Sequence, residues 1–237
     1  MDDQRRRHHL YRVSSPLLTC AAPRTVSLRD LLARRGGPPG FQSSTAITAP
    51  GILELSYRDR LRLAVTFAST ALQLCSTPWL NETWGKEDIF FLEGTEEPIT
   101  KNSYVLKSFS SSNSTPQPDG SAVTSGALRP PVSIRNRALF ALGVVLIELA
   151  FGKSLDDMRD PADLEEGGSM LVDWVTANRL SNIISSNDSG RYADAVSRCV
   201  RCEFNHRNPN LDDESFRKVV YHNVVAPLEE SWYDFCK

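Results

Sequence analysis

Apolar side chains recur at helical spacing along most of the chain, and the first strong stripe begins after Ser56. Leu61, Val65, Ala68 and Leu72, flanked by Ala64, Phe67 and Ala71, form one wide apolar face, as expected of a helix packed on a core. Ser56 and Asp59 have capping-box spacing, with Asp in place of the usual Glu. The helix is expected to stop near Ser76, because Thr77 precedes Pro78 and the residue before a proline avoids the helical region. A second stripe is apolar nearly all round: twelve of the fourteen residues from Ala138 to Phe151 are apolar. That pattern predicts a buried central helix over 137–151, with Gly152 as its C-cap. Gly143 and Glu148 interrupt the run, and it falls short of the roughly 20 residues that span a bilayer.

Weaker signals fill in the remainder. Ser27 is a fair N-cap for a short helix with Leu28, Leu31 and Leu32 on one face, stopped by the glycines and prolines of 36–40. Residues 41–51 are small and polar, a linker. Trp79 to Trp84 form an aromatic turn, and burial is the first expectation for the four tryptophans, Trp79 above all. Asp88 to Leu92 predict a strand, with a partner at Tyr104 to Leu106. Residues 108–131 hold seven Ser and four Pro and predict a loop. Three helices follow, over 170–185, 192–204 and 213–225, the last ended by Pro227. The class is mainly α, with a small β-hairpin.

Composition narrows the picture without changing it. The 237 residues are 41% apolar and 24% charged with a net charge of −2, ordinary for a globular protein and without a pull toward nucleic acid or membrane. Charge is uneven: residues 1–40 carry eight Arg against three Asp, a net of +5, which leaves −7 for the rest. Residues 1–25 are therefore expected to be a basic, flexible arm ahead of a domain over 26–237. The Arg5-Arg6-Arg7 cluster is a weak nuclear address and a better solvated tail. No stretch reads as a leader peptide, and five cysteines without one point to reduced thiols in the cytoplasm.

The order of elements resembles the C-lobe of a protein kinase. Leu139-Phe140-Ala141-Leu142-Gly143-Val144-Val145-Leu146-Ile147-Glu148-Leu149, followed by Phe151-Gly152-Lys153, resembles its central hydrophobic helix. Val26 to Leu32 resemble the short helix after the kinase hinge, and Ala193–Val200 with Phe216–Val220 resemble two late helices. Thr77-Pro78-Trp79-Leu80, Trp84, Lys86 to Phe91 and Pro227-Leu228-Glu229 are similar to a fungal family of kinase-like domains without assigned activity. The resemblance implies a helical bundle around the central helix and no N-lobe, since no G-x-G-x-x-G and no strand lysine precede residue 26.

It also implies a loss of chemistry. Phosphoryl transfer needs a catalytic Asp, metal ligands and a phosphate-binding loop. On the matched motifs Thr83 of Asn81-Glu82-Thr83 replaces the catalytic Asp, Ser108 of Ser108-Phe109-Ser110 replaces the metal-binding Asp, and Ala138 replaces the Asp that ties down the catalytic loop. Asp88 replaces a metal-holding Asn. The expectation is a catalytically inactive interaction or regulatory module with no cofactor and another protein as partner.

Two further readings compete. A residual nucleotide-binding domain would use Asp88 as a lone metal ligand. A zinc-stapled protein would use Cys199, Cys202 and His206, with Cys236 or His222 as a fourth ligand. The plainer expectation for the two thiols is core packing, since positions three apart share a helix face. Glu148 either faces water or pairs with Arg179, Arg198 or Arg201.

Overall fold

The computed structural model describes residues 24–33, 56–75, 77–80, 84–93, 103–105, 134–166, 168–187 and 190–237. Asn81-Glu82-Thr83, Ser108-Phe109-Ser110, the 108–131 segment and Arg5–Arg7 lie outside them. The described residues form strand β1 (Arg24–Ser27), helices α1 (Leu28–Ala33) and α2 (Tyr57–Leu74), strands β2 (Ile89–Glu93) and β3 (Ser103–Val105), and helices α3 (Arg137–Phe151), α4 (Ser169–Asn187), α5 (Arg191–Arg201), α6 (Glu214–Val220) and α7 (Ala226–Cys236).

The architecture is mainly helical, and α3 is its post. Leu139, Leu142, Val145, Leu146, Ile147 and Leu149 are all essentially without solvent contact. Both ends of the helix are fixed as expected. Asn136 Oδ1 accepts from Leu139 N–H at 2.9 Å, and Gly152 closes the C-terminus in the left-handed region at φ 65°, where glycine has no steric penalty. Gly143 admits α5: a Cβ there would lie 2.9 Å from Val200 Cγ2 and 3.0 Å from Val200 N. Around this crossing Tyr192 Oη donates to Leu146 O at 2.7 Å, and Arg60 Nη1 donates from α2 to Ala150 O at 3.0 Å.

α2 starts where the capping pair requires. Ser56 Oγ accepts from Asp59 N–H at 3.1 Å and donates to the Asp59 carboxylate at 2.6 Å. Ser27 and Asp30 make the same reciprocal arrangement at α1, with Leu28, Leu31 and Leu32 buried.

The hairpin is present, and it has a third strand. β2 pairs antiparallel with β3, Ile89 opposite Val105. On its other edge it pairs with β1, Val26 opposite Phe91. Arg24 and Thr25, expected in the flexible arm, instead face Glu93 and Leu92 across that ladder. Ile89 and Phe91 turn into the core while Phe90 stays partly exposed, the alternation of a half-buried sheet.

Two expectations need correcting. Pro227 does not end the last helix. A single π-helical turn, Tyr221–Val225, follows α6 and leads straight into α7, with Pro227 in its first turn. The helical run thus continues through a proline, which removes one backbone donor, and it widens for one turn just before it. Trp79 is not buried: it is 51% exposed, whereas Trp84 is buried at 5%. Trp174 and Trp232 are half-buried, the latter beneath Arg58, whose guanidinium lies 5.6 Å from the ring centroid.

Candidate functional site

The turn that enters β2, residues 84–88, is pinned against the C-terminal part of α3. Lys86 reaches Glu148, placing Nζ 2.8 Å from Oε1, and reaches Asp156 Oδ2 at 3.0 Å. Leu155 N–H donates to the same Glu148 oxygen at 2.9 Å. Glu148 has no exposed surface, so the expectation of a water-facing position fails. Its partner is also not one of the three arginines proposed from the sequence. Arg179 grips Asp163, with Nη2–Oδ2 at 2.6 Å. Arg198 donates to Glu203 O, and Arg201 donates to Asn178 and Asn182. All three are engaged by other acceptors, and the cation that reaches Glu148 is Lys86 of the 84–88 turn.

Burial pushes the Glu148 carboxyl up from its ordinary range, against the pull of Lys86 and of the Leu155 N–H. Burial alone would lower the Lys86 ammonium, but Glu148 and Asp156 together hold it above its ordinary value. Asp156 is kept low, despite partial burial, by its bond to Lys86 and the charge of Arg159. Arg159 continues the chain, 2.8 Å from Asp156 and 2.5 Å from Asp173 of α4.

This network borders a cavity of about 480 Å³. Trp84, Lys86, Asp88, Glu148 and Asp173 line one part of it, and Phe140, Ala141, Val144 and Val145 of α3 supply an apolar wall. Among the described residues, two buried polar atoms of the lining have no hydrogen-bond partner: Trp84 Nε1 and Glu148 Oε2. Each unmade bond of this kind costs about 1–3 kcal/mol.

Asp88, the candidate lone metal ligand, turns its carboxylate back onto its own turn and accepts from Gly85 N–H at 3.0 Å. Ala138 lies half-buried in the first turn of α3. The tie between the 84–88 turn and this helix is Lys86 to Glu148, farther along α3.

The C-x-x-C pair packs into the core. Cys199 has no exposed surface and Cys202 is 4% exposed, and burial raises both thiols above their ordinary range. Cys202 sits at the C-cap of α5 in the left-handed region, φ 54°, so it leaves the helix rather than sharing its face with Cys199. His206 is engaged elsewhere: Nδ1 is 2.8 Å from Asn208 O, Nε2 is 3.2 Å from Ser215 Oγ, and the ring packs on Phe216. Among the described residues no group of three or more His, Cys, Asp or Glu is arranged to hold a metal ion.

Sequence alone marks Lys86 only within a motif and does not mark Asp156, Arg159 or Asp173. One signal was available. A glutamate in the most apolar helix of the chain requires a cation, but Lys86, Lys101 and Lys107 all flank the predicted strands, and the sequence does not choose among them.

Among the described residues no helix is long and apolar enough to cross a membrane. No curated protein and no solved structure matches the chain. A family model described as a domain of unknown function, DUF7580, matches residues 3–234, and the chain belongs to that family.

Proposed function

We propose that this chain is a non-catalytic interaction module of the kind found in fungi. In this reading it is built like the helical lower lobe of a protein kinase, works in the cytoplasm without a cofactor, and has another protein as its partner. The observation that carries the reading is the fate of the charged groups before β2. Asp88 turns Oδ2 onto the Gly85 N–H, and Lys86 is paired with Glu148 and Asp156. A site for phosphoryl transfer keeps such groups free to hold metal and phosphate; here they brace a loop on a helix. The sequence order supports the same reading, with Thr83, Ser108 and Ala138 standing where the resemblance implies carboxylates.

The test is direct. The purified chain is incubated with ATP and Mg²⁺ or Mn²⁺ and generic protein substrates, and thermal unfolding is followed in parallel. The reading expects no labelled phosphate on chain or substrate and no shift in the unfolding midpoint. Dose-dependent stabilisation accompanied by phosphate transfer contradicts it.

A further inference from the structure

The charge chain that braces the 84–88 turn is one cation short. It runs Asp173, Arg159, Asp156, Lys86, Glu148, alternating in sign through contacts of 2.5, 2.8, 3.0 and 2.8 Å. Three carboxylates alternate with two cations, leaving −1. Both ends of the chain, Asp173 and Glu148, line the same cavity. The inner end is fully buried, and its Oε2 has no hydrogen-bond partner among the described residues. Facing it is the apolar wall of α3.

We propose that this cavity binds an organic cation on an apolar stem, a guanidinium or alkyl-ammonium head seated between Glu148 and Asp173. The head supplies the donor that Glu148 Oε2 lacks and completes the alternation, and a charge-assisted bond of this kind is stronger than a neutral one. The stem lies on Phe140, Ala141 and Val144. An acceptor on the same ligand, such as the carbonyl of a peptide that carries an arginine, satisfies the Trp84 N–H. An anion is disfavoured, because it would meet the carboxylates of Glu87, Asp88, Glu148 and Asp173, which outnumber the unengaged Arg137 of the lining. Both unpartnered atoms are closed off from solvent, so the ligand gains them by displacing a lining side chain. The chain's own rival for the seat is Arg137, which lines the cavity, is exposed and makes no ion pair among the described residues. The site stands apart from the kinase-lobe reading and does not need it.

Indole N–H resonances of the full chain give the readout. The four tryptophans provide four side-chain signals, and Trp84→Phe assigns the relevant one. The probes are acetyl-Ala-Arg-Ala-amide, its citrulline counterpart and butylguanidine. The arginine peptide is expected to move the Trp84 signal saturably, with the neutral citrulline peptide roughly tenfold weaker or more. Peptide binding tighter than butylguanidine assigns the site to a partner's arginine, and equal binding assigns it to a free organic cation; both outcomes support a cation site. Ala141→Phe, which fills the cavity without touching the charge chain, should abolish the shift at an unchanged unfolding midpoint. Equal binding of arginine and citrulline peptides, or no Trp84 shift with either cation, overturns the proposal. So does a clear fall in the midpoint on Arg137→Gln, which would make Arg137 the occupant.

Discussion

Lys86 and Glu148, 62 residues apart in sequence, meet with Nζ 2.8 Å from Oε1, and through that contact the turn before β2 is fixed to the central helix. Lys86 is 14% exposed and Glu148 1% at the side chain, so the pair sits where salt screens little. Removing one partner from a buried pair leaves the other uncompensated and costs ~3–5 kcal/mol. Lys86→Met is therefore expected to lower stability by about that amount in urea unfolding. Pairing it with Glu148→Gln should recover part of the loss, because the buried charge is gone. A cost below ~1 kcal/mol for Lys86→Met would show that the contact behaves as a surface pair.

A second acid behaves in the opposite way to Glu148. Asp163 is buried, accepts from Arg179, from Thr176 Oγ1 at 3.0 Å and from Asp160 N–H at 2.9 Å, and the Arg179 bond foremost draws its carboxyl down to about 2. The folded value lies below the unfolded one, so this contribution is fully present above the ordinary carboxylate range and is lost as pH falls from about 4 through about 2. Asp163→Asn should flatten the stability profile in that window and leave its slope near pH 7 unchanged. An unaltered acid limb in the variant would contradict this account of the Asp163 site.

Gly143 gives a prediction in which two effects oppose each other. Helix propensity favours Ala over Gly by up to ~1 kcal/mol. Yet the added Cβ would stand 2.9 Å from a Val200 methyl and 3.0 Å from the Val200 backbone nitrogen, and overpacking costs ~1–3 kcal/mol. The backbone contact cannot be relieved by a rotamer, so packing wins and Gly143→Ala should destabilise. A raised melting temperature would mean that α3 and α5 are farther apart than described.

Thiol labelling separates the cysteines by place. Cys236 is exposed, whereas Cys199 and Cys202 are buried. Under native conditions a maleimide should modify Cys236 promptly and reach Cys199 and Cys202 only on unfolding, as read by peptide mass mapping. Elemental analysis of the purified chain should find no stoichiometric zinc. Protection of Cys199, Cys202 and His206 that is lost to a chelator would restore the zinc-staple reading.

These elements show what local sequence can and cannot carry. α3 was legible to the residue because an apolar run, broken only by Gly143 and Glu148, ends at a glycine suited to a left-handed cap. α2 was legible because Ser56 and Asp59 satisfy each other within one turn. β1 was not, since four residues give no period to read and its partner β2 lies more than sixty positions on. The passage through Pro227 was hidden because a π turn shifts the register by one residue, and nothing in 221–225 marks it. The partner of Glu148 was hidden for a related reason: the chain dictates that a buried acid needs a cation, but only the packing of the 84–88 turn on α3 chooses Lys86 over three arginines.

The proposed function turns on Asp88 being engaged by its own turn rather than by a metal ion. Crystals of the full chain soaked in Mn²⁺ with ATP, measured for anomalous scattering at the manganese edge, test it most directly. The account predicts no manganese peak within coordination distance of Asp88, whose carboxylate stays on the Gly85 N–H. A manganese peak held by Asp88 and a second carboxylate would contradict it.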